Sequence, residues 1–336
     1  MHIFEGDSAD RVWQMAAARL SDADETQAQP SRIGLTRELL HVCFTIQAPR
    51  QRWVISREPP MSPAFAIAEV VWILNGRNDS AFLNYWNPKL PEFAGYGSTY
   101  HGAYGFRLRH HFKFDQLDQA YQALKNNPDG RQIVLQIWDP NTDFPNEEGQ
   151  PVAEDIPCNV CALLKVRNGK LEWLQIMRSN DLYRGLTYNF VQFTYLQEIM
   201  AGWLGLGLGA YNQISDSLHI YQKDAAKFNV SYSVATEKNT DSLCLKKNES
   251  DLIFEEMGHH IKELTNRDLT RTDLLALASL NNAPHAYQNM LLVVASESAR
   301  RRGWIQVAQE IMGDCTNAVL KDVWQRWLRR CQRNIS

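Results

Sequence analysis

The sequence predicts an α+β fold: an α+β domain over roughly residues 1–230, a polar linker over 231–251 and a helical segment over 252–336. Three observations carry that prediction. Apolar and β-branched runs of strand length are interleaved with longer helical patterns as far as residue 221. Asn168-Gly169 stands between two apolar runs, a strong short-range signal for a β-hairpin. From residue 252 onward helical periodicity alone appears.

Taken in order, ELLHVCFTI (38–46) reads as a strand. AFAIAEVVWILNG (64–76) reads as a buried helix stopped by Gly76. FDQLDQAYQALKNNPDG (114–130) is an amphipathic helix closed by Asn, Pro and Gly, and RQIVLQIWDP (131–140) is a strand. After a polar loop (143–155), the two arms around Asn168-Gly169 form the hairpin. NFVQFTYLQEIMAGWLGLG (189–207) is apolar almost all round, which makes it a central, buried helix. AYNQISDSLHIY (210–221) is a further strand.

The chain has 336 residues, 44% of them hydrophobic and 10% aromatic, enough for a sizeable core. A net charge of −3 gives no general attraction to nucleic acid or anionic membrane. No apolar run reaches the length of a membrane span, and no basic stretch leads into an apolar leader. Six scattered cysteines fit reduced thiols, so a cytoplasmic setting is expected. Arg300-Arg301-Arg302 and Arg329-Arg330 read as solvated helix faces rather than a nucleic-acid patch.

The Cys158-x-x-Cys161 pair invites a metal or redox reading. On a strand, side chains three apart point to opposite faces, which suits neither one tetrahedral ion nor one disulfide. No second such pair completes a zinc site, so no metal is expected. Cys161, among Val160, Ala162 and Leu163, reads as a small buried hydrophobe. Cys158 follows Asp-Ile-Pro at the loop-to-strand junction. With a turn at Asn168-Gly169, residues paired across the hairpin sum to about 337 by two-residue loop geometry, which sets Cys158 near Arg178 and Ser179. A guanidinium beside a thiol raises its thiolate fraction. The pattern is a nucleophile with an anion clamp.

These residues resemble a family. Pro157-Cys158, then RSND…GL.YN (178–189), then SLHIY (217–221) looks like thymidylate synthase and its pyrimidine-nucleotide hydroxymethylase relatives. SRIG (31–34), AIAEVVWIL (66–74), HGAYGFRLR (101–109) and NNPDGRQIVLQIW (126–138) agree, and the likeness covers roughly 30–225. It implies a large mixed sheet around a buried central helix, carrying the helical C-terminal extension. It also implies a homodimer with shared active sites. Cys158 would attack C6 of the pyrimidine, and C5 would take a one-carbon unit from 5,10-methylenetetrahydrofolate. Arg178, Ser179 and Arg32 would hold the 5′-phosphate, with Arg131 supplied by the other subunit. Asp181 would hold the pterin, and Trp86 would stack on the folate. Asn189 would read the base edge through its amide. His219 and Tyr221 would hold the sugar 3′-hydroxyl. Glu69 and Tyr104 would serve proton transfer through ordered water.

Each residue also has a structural alternative. Glu69 suits a buried ion pair, Asp181 a turn, Asn189 a helix N-cap and His219 an ordinary strand position. The chain departs from the family at four places. Arg131 is followed by Gln132 where two arginines are usual, and Asn159 follows the nucleophile where histidine is common. The 76–102 segment is short, and the usual apolar tail is replaced by WLRRCQRNIS. The expected reaction is dUMP to dTMP. The alternative within the family is 5-hydroxymethylation, with water in place of hydride. The alternative of another class is a catalytically idle nucleotide-binding regulator.

Overall fold

The computed structural model describes residues 1–22, 26–31, 34–225, 229–230 and 237–333. Strands β1 (His2–Gly6), β2 (Gln27–Ser31), β3 (Gly34–Ile46), β4 (Ile133–Gln136), β5 (Asn159–Arg167), β6 (Lys170–Asp181) and β7 (Gly207–Tyr221) form one sheet among the described residues. The strand order is β1-β3-β7-β6-β5-β4, with β2 paired to β3. β1 runs parallel to β3 and β6 parallel to β7, and the other pairs are antiparallel, so the sheet is mixed as expected. Asn168 and Gly169 both take positive φ, 52° and 70°. That is the primed turn that matches strand twist in a two-residue hairpin.

The expected helices form, with shifted ends. α2 (Pro63–Leu74) begins at Ser62, whose side chain accepts the Phe65 N–H, and the chain leaves it through Gly76 at φ 64°. α3 is Gln116–Asn126. α4 (Leu186–Leu204) is buried along nearly its whole length and packs on the sheet. The N-terminal unit escaped the sequence reading. α1 (Ala9–Ser21) buries Val12, Trp13, Ala16, Ala17 and Leu20. The Trp13 indole donates to the Leu182 carbonyl at 2.9 Å, pinning the loop behind Asp181.

The polar stretch read as a linker is fastened down wherever it is described. The Asn239 carbonyl accepts from the Gln51 side chain at 3.0 Å, and its Nδ2 donates to the Arg50 carbonyl at 2.9 Å. Its Oδ1 accepts from Asn317 at 2.8 Å. Tyr287 Oη donates to the Leu243 carbonyl at 2.9 Å. α5 (Lys247–Glu263), α6 (His285–Arg301), α7 (Ile305–Gly313) and α8 (Ala318–Arg333) follow. α5, α6 and α8 pack on α2, so both parts of the chain share one hydrophobic core. The arginine run is no solvated face. Arg300 and Arg301 hold the buried Glu297 at 2.7 and 2.9 Å, while Arg301 and Arg302 donate to the Trp86 carbonyl and to Tyr85 Oη. No helix among the described residues is long and apolar enough to cross a membrane.

Candidate active site

Cross-hairpin register fixes the position of Cys158. From Arg167↔Lys170 to Cys161↔Ile176 the paired numbers sum to 337, and a β-bulge between Asn159 and Cys161 then slips the count by one. Cys158 therefore faces Arg178, whose N–H donates to the Cys158 carbonyl at 2.9 Å. The Arg178 guanidinium braces the same loop, with Nε on the Pro157 carbonyl at 2.9 Å and Nη2 on the Ile156 carbonyl at 3.0 Å. Nη1 is left for a ligand. Cys158 packs against the core side, whereas Cys161 stands in the row of Ile176 and Ile214 on the outer face of the sheet. The β-bulge between Asn159 and Cys161 interrupts the simple alternation on which the opposite-face expectation rested. Burial pushes the Cys161 thiol up, away from the thiolate.

A proton-handling cluster lies beside Cys158. Burial pushes the Glu69 carboxyl up to about 7, opposed by a hydrogen bond from Gln192 and aided by the charge of Asp155. Its Oε2 is sealed without a partner, and among the described residues no arginine takes it into an ion pair. Gln192 Oε1 accepts from Asn189 Nδ2 at 2.9 Å, so Glu69, Gln192 and Asn189 form a chain. Asn189 lies on the first turn inside α4, whose N-cap is Gly185; the capping alternative fails. Among the described residues its Oδ1 and second Nδ2 proton take no hydrogen bond, so the amide can still offer one acceptor and one donor. The Tyr104 hydroxyl is pushed well above its ordinary value by burial and by the neighbouring charges of Cys158, Asp155 and Glu69.

The opposite wall comes from β6 and β7. Asp181 pairs in register with His219, and Ser179 with Ser217. Asp181 divides its carboxylate between two tasks. Oδ1 accepts the Tyr183 and Arg184 N–H groups at 2.7 and 2.5 Å, the turn reading, while Oδ2 is buried without a partner. Burial raises its pKa. A buried orphan acceptor of this kind suits a pterin N–H donor. Tyr221 is hydrogen-bonded to the Ser31 side chain, with the His219 ring edge-on at 5.5 Å. The Arg184 guanidinium lies between the Tyr221 ring, at 5.0 Å, and the Phe93 ring, at 4.5 Å.

Two expected residues, Arg131 and Trp86, stand apart. Arg32 lies outside the described residues. Arg131 is exposed ahead of β4. Since Ile133 pairs with Leu164, it is level with Val166, at the end of β5 away from Cys158. That is roughly 25 Å at 3.3 Å per residue. Trp86 is 1% exposed, with Tyr85 edge-on, and presents no open ring face to a folate. Two residues were missed. Gln192 is one helical turn from Asn189, a spacing that signals a shared face. Asp155 is three residues before the nucleophile, in a loop whose polarity concealed it.

Residues 36–272 match the thymidylate synthase family model, more than two thirds of the chain. The fold is that of the thymidylate synthase family, and the chain belongs to it. It is similar to a deoxyuridylate hydroxymethyltransferase of Bacillus phage SP01, 34% identical over 236 residues, covering 67% of this chain and 60% of the relative. A second deoxyuridylate hydroxymethyltransferase, from Pseudomonas phage M6, is 37% identical over 177 residues, 52% of this chain and 49% of the relative. A putative thymidylate synthase of Methanothermobacter marburgensis is 30% identical over 208 residues, 60% of this chain and 84% of the relative. The chain thus spans between about half and three fifths of the length of the two phage relatives.

Proposed function

We propose that this chain transfers a one-carbon unit from methylenetetrahydrofolate to C5 of dUMP through a bond between Cys158 Sγ and C6. The observation that carries this reading is the grouping of Cys158, Tyr104 and Glu69 with the Gln192-Asn189 amide chain. The thiolate adds to C6, and the electron pair moves through C5 to O4. Asn189 donates to O4 and accepts from N3–H. C5 then attacks the one-carbon unit. Loss of the C5 proton and of tetrahydrofolate leaves a methylene on C5, with Tyr104 and Glu69 as the proton route. Asp181 Oδ2 is the acceptor offered to the pterin.

Two products diverge from that methylene. Hydride from tetrahydrofolate gives thymidylate and dihydrofolate. Water gives the 5-hydroxymethyl nucleotide and releases tetrahydrofolate. Either addition is followed by expulsion of the thiolate. The family holds enzymes named for each outcome. We favour water on two observations. The phage relatives at 34% and 37% identity carry the hydroxymethyl name. The tryptophan expected to shield the folate is buried away from any ligand. Mass spectrometry of the product from dUMP and methylenetetrahydrofolate decides the question. A 5-hydroxymethyl nucleotide is expected; thymidylate formed in step with dihydrofolate restores the synthase reading; no product despite nucleotide binding points to the regulator.

A sheet-to-sheet homodimer is part of the same proposal. Ile3, Cys43, Ile214, Ile176 and Cys161 stand in register across the outer face, an apolar row of the kind that a second copy covers. The distance of Arg131 from its own Cys158 supports its donation to the partner. Arg131→Glu and Cys158→Ala chains, each inactive alone, should regain activity when mixed and re-dimerised. No recovery with verified exchange of subunits would return Arg131 to its own subunit.

A further inference from the structure

Asp155 is a carboxylate at the site with no role in the scheme above. Its Oδ2 accepts the Gly102 N–H at 2.8 Å. That approach requires the glycine, because a Cβ there would lie 3.0 Å from Oδ2 and 2.9 Å from the Asp155 carbonyl oxygen. The contact fixes the carboxylate to the segment that carries Tyr104, while the chain running on from Asp155 reaches Cys158 three residues later. Oδ1 takes no hydrogen bond among the described residues. The Asp155 carboxyl interacts through its charge with Glu69, Tyr100 and Tyr104, and with His101, Arg107 and Asp143.

The two carboxyls of the cluster are differently provided for. Glu69 has one amide donor and a sealed second oxygen, an environment that favours the protonated form. Burial, the largest influence, raises the pKa of Asp155, and Asp143 adds to it; the Gly102 N–H, His101 and Arg107 act in the opposite sense and favour its anion. Arg107 and His101 are both held on Asp143, so they are fixed in place. Both carboxyls are raised by burial, and Asp155 is the one of the two with cations and a backbone N–H to support its charge.

We propose that Asp155 is the base that takes the proton from the water attacking the C5 methylene. This rests on the hydroxymethyl reading. The water oxygen bonds to the methylene carbon and one water proton passes to Asp155 Oδ1. The methylene π pair moves to C5 and O4, then returns to expel the Cys158 thiolate. Asp155 gives its proton to solvent. No oxidant or reductant is consumed.

Asp155→Asn keeps an acceptor for Gly102 and removes the base. With dUMP tritiated at C5, the variant should still release tritium in a single turnover at close to the wild-type rate. Hydroxymethyl product should fall by ~10²–10⁴-fold, the usual reach of one general base. Added thiol should capture the stranded methylene as a 5-thioether. If the variant does not fold, as judged by loss of dUMP binding, Asp155→Ser with and without formate replaces it, and recovery of product by formate is the expected result. Hydroxymethyl formation within about twofold of wild type, or no recovery by formate, overturns the proposal alone, by the same measure of one base. Joint loss of tritium release and product overturns it too, by moving Asp155 to an earlier step. Thymidylate from the wild-type enzyme removes the underlying reading instead.

Discussion

Glu69 and Glu198 enter the same interior on two helices that pack against each other, α2 and α4. Glu198 meets Arg50 at 2.7 Å, Arg52 still closer and the Leu243 N–H, and these cations hold its carboxyl below the ordinary range despite burial. On α6, Glu297 takes hydrogen bonds from Arg300, Arg301 and the Trp327 indole. Glu69 has no cation partner and is pushed the other way. Buried carboxylates of the framework are saturated; those of the site, Glu69 and Asp181, each keep an oxygen without a partner. An unpartnered buried oxygen is unfavourable in the free protein, and it persists where a ligand or a proton completes it.

Matched substitutions sharpen that division, beginning with the largest effect. Cys158→Ser should lower turnover by ~10⁴-fold or more, as loss of a nucleophile does elsewhere. Its framework counterpart Cys161→Ala should keep turnover and shift stability by less than about 1 kcal/mol. Steady-state rates and urea unfolding check both, and a fully active Cys158→Ser chain would end the covalent mechanism. Asn189→Asp should move preference from dUMP toward dCMP, by up to ~10⁴-fold in relative kcat/KM, because a carboxyl takes the cytosine amino proton where the amide served O4. An unchanged ratio would remove Asn189 from base reading.

Glu198→Gln should destabilise by about 3–5 kcal/mol, since it strands the buried Arg52. Glu69→Gln should leave stability within ~1 kcal/mol while turnover falls, because it removes a carboxyl the fold does not satisfy. Equal destabilisation by the two would break the comparison. The pH dependence separates them again. The folded chain keeps a proton on Glu69 between 4.5 and about 7 that the unfolded chain has released, so this site's contribution to stability falls as pH rises through that window. Glu198 runs in the opposite sense: its contribution is present above its ordinary 4.5 and is lost as pH falls through the depressed folded value. Unfolding free energy measured from about pH 3 to 8 should lose the first slope, above 4.5, in Glu69→Gln and keep the second, below 4.5.

Much of this was legible in the sequence where local chemistry was strong. Asn168-Gly169 dictates its turn, and the turn dictates register, which sets Cys158 beside Arg178. The buried helices declared themselves by apolar residues on every side. Long-range partners were not legible. Nothing near Arg300, Arg301 and Arg302 in sequence announces Glu297 and the Trp86 loop together, so a buried clamp resembled a solvated face. Trp86 looked available because its cover comes from α6, over two hundred residues away. Asp155 sat in a loop rich in acidic residues, and its contact with Gly102 is a tertiary event.

α2 has eleven of its twelve residues buried, and part of that burial is supplied by α6 and α8. A ribosome delivers α2 early and its cover late. α6 begins more than two hundred residues downstream of Leu74. At 5–20 residues per second the interval is roughly 10–40 s. Throughout it the nascent chain carries an oily helix with no finished interior to enter, an opening for chaperones and for aggregation alike. A chain released at residue 250 would never leave that condition.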